Sequence, residues 1–207
     1  MDNYGSHLFT EAVQAEQASA GTRERYAQVY KTRHRGPLDA DARAFIETRT
    51  SFYMASIGAS GWPYVQHRGG PAGFLKVLGP EQIGFADYTG NKQFISMGNM
   101  AGDDRVSLIL MDYPHRARMK LIGHARMIHA EKAPALAEQL HVKGEGPVER
   151  VATIDITAMD WNCPKYITPR FTEEEIAAML GPRMRELKQE NATLRARVAE
   201  LEAGGGK

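Results

Sequence analysis

The stretch from Ile83 to Met111 restricts the possible folds of this chain more than any other segment. Its pattern predicts a strand at Ile83–Asp87, a tight turn at Tyr88–Gly90, a helix at Asn91–Met100 and a buried strand at Val106–Met111. A pair of strands connected through one short helix is therefore the expected centre of the fold.

The predicted helix start carries a feature that favours anion binding. The helix follows Gly90 directly, and Asn91, Lys92 and Gln93 occupy its first turn. The first N–H groups of a helix have no hydrogen-bond partner within the helix. Here these N–H groups and the positive charge of Lys92 are expected to point to the same spot, where an anion could bind. The alternative is an ordinary Gly-Asn turn with a solvated Lys92.

Further strand patterns surround this centre at short intervals. Turn residues separate them, and short strands at such spacing favour a barrel or a sandwich. The predicted strands are Phe52–Ile57, Trp62–His67, Phe74–Leu78, Ile83–Asp87, Val106–Met111, Arg118–Ile128 and Arg150–Met159, the last of which is expected to close the barrel.

Helices are predicted mainly outside the strand region. Residues 1–36 read as a helical arm, in which Thr22 is expected to cap a helix that runs to about Arg33. Asp39–Thr48 has an acidic start and an apolar face, and Glu131–His141 has a stripe of Ala and Leu. These segments are expected to flank the sheet.

Composition excludes several classes of function. Lys and Arg total 26 against 25 Asp and Glu, which argues against a nucleic-acid partner. The start of the chain lacks a signal peptide pattern and no run is long enough to cross a membrane, so we expect a cytoplasmic protein. Cys163 is the only cysteine and the histidines show no HExxH spacing, so neither a disulfide nor a metal site is expected.

A glycine-rich bend follows the second predicted strand. It spans His67–Gly73, with Arg68 inside it and Lys76 just beyond. Glycine lets the backbone approach a ligand closely, and the two cations suit an anionic one. The alternative is a barrel corner with a solvated arginine.

Two groups of residues resemble one known family. The run of Asp87, Gly90-Asn91-Lys92, Asn99 and Asp104–Leu108 is similar to the FMN-binding split barrels of the pyridoxamine 5'-phosphate oxidase superfamily, and Trp161–Ile167 resembles the NCP(K/R)YI ending of a bacterial subgroup. The likeness covers residues 45–170. It implies a mainly β fold with flanking helices, a split β-barrel, bound FMN, and a homodimer with the flavin at the subunit interface.

The resemblance also implies where the flavin binds. Asn91-Lys92-Gln93 fall where the oxidases use Ser-Arg-Lys, so Arg68 is expected to replace a missing arginine. Arg118 takes the position of a glutamine that contacts the flavin across the dimer interface. The full set of expected flavin-binding residues is His67, Arg68, Gly69, Phe74, Leu75, Lys76, Ala86, Asp87, Asn91, Lys92, Gln93, Arg118, Trp161 and Lys165.

The same resemblance indicates what the protein does. The Arg-Leu-His pattern of the oxidases is missing, and Leu136 and Leu140 replace their phosphate-binding tyrosine and arginine, so vitamin B6 oxidation is not expected. We expect an FMN-dependent oxidoreductase that acts on a small-molecule or nicotinamide donor. A deazaflavin-dependent reductase and a non-catalytic flavin or haem carrier or sensor stay open. No catalytic residue stands out, and Cys163 is interpreted as a small buried hydrophobe.

The C-terminal segment follows a different pattern. Thr172 and Glu175 form a capping box for a helix to about Leu180, and Gly181-Pro182 is expected to break it. Heptads follow, with Met184, Asn191 and Val198 at a and Leu187, Leu194 and Leu201 at d. They predict a short parallel coiled coil that reinforces the dimer; the alternative is a surface helix packed on its own domain.

These patterns divide the chain into four regions. Residues 1–36 form the N-terminal helical arm and residues 37–170 the split-barrel domain. Residues 171–203 form the C-terminal helix, and residues 204–207 a disordered tail.

Overall fold

A computed structural model describes residues 1–31, 33, 36–161 and 165–204. Its residues form two compact units: Met1–Asp112 with Arg116–Ile167, and Tyr113–His115 with Thr168–Lys207. None of the helices among these described residues combines the length and apolar character needed to cross a membrane.

The first unit contains all the strands of the described chain. The strands are β1 (Asp2–Asn3), β2 (Ser51–Ile57), β3 (Pro63–Gly69), β4 (Leu75–Gly79), β5 (Gln82–Asp87), β6 (Arg105–Asp112), β7 (Ala117–His129) and β8 (Arg150–Trp161). The helices of this unit are α1 (Tyr4–Leu8), α2 (Glu11–Ser19), α3 (Arg23–Val29), α4 (Ala40–Glu47), α5 (Ile95–Gly102), a 3₁₀ turn (Ala130–Lys132) and α6 (Pro134–Leu140).

The strands form one sheet in the order β3-β2-β6-β7-β8-β5-β4, and β1 pairs with β8 in parallel. All other pairings are antiparallel. Among the described residues no ladder joins β3 to β4, so the sheet stays open as a split barrel with flanking helices, which confirms the predicted fold class. The expectation that β8 closes the barrel was wrong, because β8 lies inside the sheet between β7 and β5.

The larger of two hydrophobic clusters forms the main core and packs against the sheet. Buried residues alternate along β2 and β6, so that Phe52, Met54, Leu108 and Leu110 all point inward. Phe74, just before β4, stacks on Phe52 with ring centroids 5.8 Å apart. Burial of such large apolar side chains provides the main stabilisation of the unit.

The strand predictions are confirmed to within two residues at each end, and so is the helix after Asp39. In that helix the side chain of Asp39 accepts a hydrogen bond from Ala42 N at 2.8 Å, as an N-cap residue should. The helix predicted from Glu131 is shorter than expected. It begins at Pro134, since proline suits the first position of a helix and interrupts one further inside.

The N-terminal arm is helical but differs in detail. Its helix α3 ends at Val29, short of Arg33. Thr22 does not cap this helix with its side chain, because its hydroxyl donates to the carbonyl of Gln17 at 3.2 Å. Strand β1 was not predicted, since two residues carry too little pattern to indicate a strand.

The helix predicted from Asn91 begins four residues later. Helix α5 starts at Ile95, and residues 91–94 form an irregular loop. Lys92 and Phe94 adopt left-handed backbone conformations, with φ of 58° and 55°. An α-helix requires negative φ, so neither residue can lie inside one.

The second unit is built around helix α7 (Glu173–Gly204), which is 32 residues long. The capping box is confirmed: Thr172 N donates to the Glu175 carboxylate at 2.8 Å and Glu175 N donates to the Thr172 hydroxyl at 3.2 Å. The predicted break at Gly181-Pro182 was wrong. Helix α7 continues through Pro182, since a proline removes one backbone donor and the bonds on either side hold the helix together.

Two predictions fall on residues that the structure does not describe. Gly204 belongs to α7, while the rest of the predicted tail, residues 205–207, lies outside the described residues. The prediction for Cys163 also lies outside them, together with its neighbours Asn162 and Pro164.

Candidate functional site

A polar cleft opens where β3, the end of β5, the loop before α5 and the start of β8 meet. The loop forms one wall, and the ends of the strands carry the charged side chains of the other. The cleft is lined by Tyr64, Gln66, Arg68, Asp87, Tyr88, residues 90–97, Met127, Glu149 and Arg150.

Two arginines of the cleft share one carboxylate. Arg68 Nη1 lies 2.7 Å from Asp87 Oδ1, and Arg150 Nη1 lies 3.5 Å from Asp87 Oδ2. Arg150 Nη1 also lies 3.2 Å from a carboxylate oxygen of Glu149. The side chains of Arg68 and Arg150 are only 19% and 12% exposed, so water does little to satisfy their remaining donors.

Both arginines keep an unused hydrogen-bond donor. The Nε atoms of Arg68 and Arg150 are buried and have no hydrogen-bond partner. Each guanidinium also lies over an aromatic ring, Arg68 at 5.5 Å from the centroid of Phe85 and Arg150 at 5.0 Å from that of Phe94. A buried donor without a partner costs free energy, so this pair of arginines has the chemistry of a site that binds an anion.

The start of α5 contributes backbone groups to the same cleft. Residues 95–97, its first turn, line the cleft, and the N–H groups of a first helical turn have no partner within the helix. These N–H groups belong to Ile95–Met97 and not to Asn91–Gln93, where the helix start was predicted. The left-handed conformations of Lys92 and Phe94 cost roughly 1 to 3 kcal/mol each, a strain that often accompanies a functional loop.

Glu149 is a fixed negative charge at the edge of the cleft. The hydroxyl of Thr89 donates a hydrogen bond to it at 2.7 Å. This hydrogen bond, followed by the positive charges of Arg150 and Lys92, lowers the pKa of Glu149. Its carboxylate is therefore ionised at neutral pH and cannot serve as a proton donor.

Five of the residues predicted from sequence meet in this cleft: Arg68, Asp87, Asn91, Lys92 and Gln93. The last three are exposed and precede the helix. The side chain of Asn91 accepts a hydrogen bond from Gln93 N at 3.2 Å, which helps to shape the loop. Lys92 thus lies at the rim, while Arg68 lies inside the cleft.

Six other predicted residues in the same part of the sheet do not line the cleft. Phe74 and Leu75 belong to the core, and Ala86 packs in a smaller cluster with Leu140. Lys76 Nζ donates to the carbonyl of Gln139 at 2.6 Å and so tethers the end of α6. His67, whose ring lies 5.4 Å from that of Tyr53, and Gly69, which pairs with Ser51, complete the six.

The remaining three predicted residues lie elsewhere in the chain. Arg118 is on β7 opposite Met111, with its Nε atom buried and without a hydrogen-bond partner. Trp161 packs edge to face against Phe45 at 4.8 Å. Lys165 Nζ lies 5.0 Å from the ring centroid of Tyr166.

Sequence reasoning missed Arg150, the less exposed of the two arginines. Its signal was weak: an arginine at the first position of a predicted strand. The functional context appears only in the sheet, where Arg150 pairs in register with Asp87 on the neighbouring strand. The supporting pair of Ser96 and Gln66 was missed for the same reason; the Ser96 hydroxyl donates to the Gln66 side chain at 2.7 Å and fixes α5 against β3.

The cleft itself is small. Its volume is ≈ 110 Å³, well below the roughly 300 to 1,000 Å³ of typical small-molecule sites. A phosphate-sized anion fits this space. No cluster of three or more His, Cys, Asp or Glu side chains is placed for a metal ion within the described parts of the chain.

Comparison with known proteins identifies a family. Residues 38–161 match the family model described as pyridoxamine 5'-phosphate oxidase. No curated protein sequence matches the chain at a significant level.

Solved structures with similar folds share little sequence with this chain. HupZ from Group A Streptococcus is 12% identical, with a TM-score of 0.48 over 65% of this chain and 99% of that one. A Clostridium acetobutylicum protein related to general stress protein 26 is 14% identical, with a TM-score of 0.44 over 66% and 94%. An F420 reductase is 15% identical, with a TM-score of 0.43 over 59% and 98%.

Proposed function

Because this chain belongs to the pyridoxamine 5'-phosphate oxidase family, we propose that it is an FMN-binding oxidoreductase whose cleft holds the phosphate of the flavin. The observation that carries the proposal is the pair of buried arginines, Arg68 and Arg150, which share Asp87 and keep their Nε donors unpaired. A phosphate has enough acceptor oxygens to satisfy both.

In this proposal, three kinds of group in the cleft bind the phosphate. Arg68 and Arg150 offer guanidinium donors from within the cleft. The first turn of α5 offers backbone N–H groups together with the positive end of the helix dipole. Lys92 adds a positive charge at the rim, so that the cations of the cleft outnumber its carboxylates, Asp87 and Glu149.

The small volume of the cleft supports a dimeric site. The cleft itself encloses space for the phosphate end of FMN and little more. In the proposal, the rest of the flavin lies against a second copy of the chain, so the protein acts as a homodimer with flavin at the subunit interface. Arg118, whose buried Nε atom has no partner, is a candidate contact for the flavin there.

The residues of the chain bind and orient the cofactor, which when bound supplies two-electron redox chemistry. Glu149 is ionised, so it is not suited to donate a proton near neutral pH. We therefore assign no general acid to the cleft. The donor in this proposal is a small organic molecule or a nicotinamide, and vitamin B6 phosphate is disfavoured because Leu136 and Leu140 offer no phosphate ligands.

The first experiment is an absorption spectrum of the purified protein, followed by mass spectrometry of the cofactor released by heat. Flavin bands and the mass of FMN support the proposal, whereas a deazaflavin mass would change the cofactor and the redox partner. A colourless protein that fails to bind added FMN would overturn the flavin assignment. Turnover with NADH or NADPH and common acceptors then separates an enzyme from a carrier or sensor.

A further inference from the structure

Helix α7 presents an apolar stripe along its length. It runs without interruption from Glu173 to Gly204, and none of its described residues is buried. The large apolar side chains at heptad positions are 42% exposed (Leu187) to 60% exposed (Leu201). A regular stripe of exposed leucine, valine and methionine on one helix is costly in water unless another surface covers it.

The continuity of α7 lengthens the heptad pattern. Because the helix does not break at Pro182, the register of Met184 and Leu187 extends back by one heptad to Ala177 at a and Leu180 at d. The extended stripe is Ala177, Leu180, Met184, Leu187, Asn191, Leu194, Val198 and Leu201. Since the stability of a coiled coil grows with its length, this extra heptad strengthens the case for pairing.

We propose that the occupant of this stripe is α7 of a second copy of the same chain, parallel and in register. The charges beside the stripe support this choice. In a parallel pair, position g of one helix faces the next position e of the other. Glu190 then faces Arg195, and Arg197 faces Glu202, and both pairs have opposite charges. The pair of Arg183 with Lys188 has like charges and weakens the end near Pro182.

The antiparallel arrangement is disfavoured by the same side chains. There, positions g face g and positions e face e. In the antiparallel register that overlaps the two stripes completely, Arg183 would lie near Arg197, and each of Glu190 and Lys188 near its own copy, so the charged pairs of that register have like charges. Asn191 adds to the preference, because in the parallel pair it faces the same residue of the partner and the two amides can hydrogen-bond to each other.

Pro182 is compatible with the pairing. It occupies position f, which faces away from the partner, and the carbonyl that its missing N–H leaves free belongs to Ala178 at position b, also on the outside. Solvent can therefore satisfy that carbonyl. The interruption in the hydrogen-bond pattern leaves the seam intact.

The test is disulfide formation between single cysteines in the full chain. Cys163 is first replaced by serine, so that each variant carries one cysteine. Leu194→Cys places a thiol at position d, and Ala196→Cys places one at position f of the same turn. A disulfide requires Cα atoms within about 7 Å, so we expect the Leu194→Cys dimer to form about tenfold faster than the Ala196→Cys dimer at low protein concentration.

A second variant shows whether fast cross-linking is a property of position d or of residue 194 alone. Leu187→Cys, also at position d, is expected to cross-link as fast as Leu194→Cys. Equal rates at positions d and f would mean that the two helices only meet by collision, and no cross-link at either d position would mean that they do not pair in this way. Either result would overturn the proposal, and neither depends on flavin binding.

Discussion

At the scale of single residues, the cleft depends on how Arg68 and Arg150 are placed around the carboxylates of Asp87 and Glu149. Arg68 and Arg150 share Asp87, and Arg150 also contacts Glu149, yet the Nε atom of each arginine remains without a partner. This surplus of donors is what distinguishes the cleft from a structural ion-pair network, in which donors and acceptors balance.

Arg150→Met is expected to weaken FMN binding by about 1.5 to 3 kcal/mol, the usual contribution of a hydrogen bond to a charged group. Lys92→Ala is expected to cost less, roughly 0.2 to 1 kcal/mol, because this lysine is exposed and solvent screens its charge. Titration of each apo-protein by flavin fluorescence measures both values.

Two controls accompany these variants. Riboflavin lacks the phosphate, so its affinity should be the same in the wild type and in Arg150→Met. Arg105→Ala removes an exposed arginine outside the cleft and should leave FMN affinity unchanged. If Arg150→Met binds FMN as tightly as the wild type, the phosphate lies elsewhere.

Gly123 is required for the close approach of β7 and β8 where their register shifts. A Cβ atom at this position would lie 2.2 Å from the backbone carbonyl oxygen of Asp155. We expect Gly123→Ala to lower the free energy of unfolding by about 1 to 3 kcal/mol, because the backbone must move to relieve the contact.

Gly98→Ala is the control for Gly123→Ala. A Cβ atom at Gly98 meets nothing within 4 Å, and alanine is the better residue inside a helix, so a gain of roughly 0.5 to 1 kcal/mol is expected. Urea denaturation of both variants measures the two changes. Equal effects of the two substitutions would contradict the expected clash between a Cβ atom at position 123 and the backbone of Asp155.

At the scale of elements, the arm and the sheet meet at the end of β8. Tyr30, which follows α3, packs against Phe9 with ring centroids 5.0 Å apart, and the buried carboxylate of Asp160 acts on its hydroxyl. Burial, then the charge and the hydrogen bond of Asp160, raise the pKa of Tyr30 to about 12. The Asp160 carboxylate therefore favours the protonated form of Tyr30 where the arm meets the sheet.

This contact should make stability depend on pH in the alkaline range. The folded state holds the proton of Tyr30 more tightly than the unfolded state, whose tyrosine pKa is about 10. The contribution to stability is therefore complete below pH 10 and is lost as the pH rises towards 12. Tyr30→Phe cannot titrate, so its unfolding free energy should fall less steeply between pH 9 and pH 11; identical slopes would refute the argument.

At the scale of the whole molecule, FMN should stabilise the folded protein. With free FMN at 100 times its Kd, the free energy of unfolding is expected to rise by about 2.7 kcal/mol, because only the folded chain has the cleft. A thermal melt with and without FMN measures the increase. The absence of any shift at saturating FMN would contradict the proposed site.

Much of the fold was predictable because it rests on local patterns. The strand segments follow from apolar alternation and turn residues, the helix after Asp39 and the capping box at Thr172 from short-range hydrogen bonds. The start of α5 was not predictable, since Gly-Asn-Lys-Gln suits a helix start as well as a strained loop. The homodimer, the coiled coil and the cytoplasmic location stay predictions.

The sequence by itself determined which segments form strands and helices and which residues are cationic near the cleft. Only the tertiary structure decided that Arg68, Asp87 and Arg150 meet, and that Lys76 and Leu75 do not join them. The physical reason is that local patterns act over a few residues, whereas the order of strands depends on how the whole sheet buries its apolar face. Asp87 and Arg150 are neighbours because β5 pairs with β8, and that pairing is a property of the complete sheet.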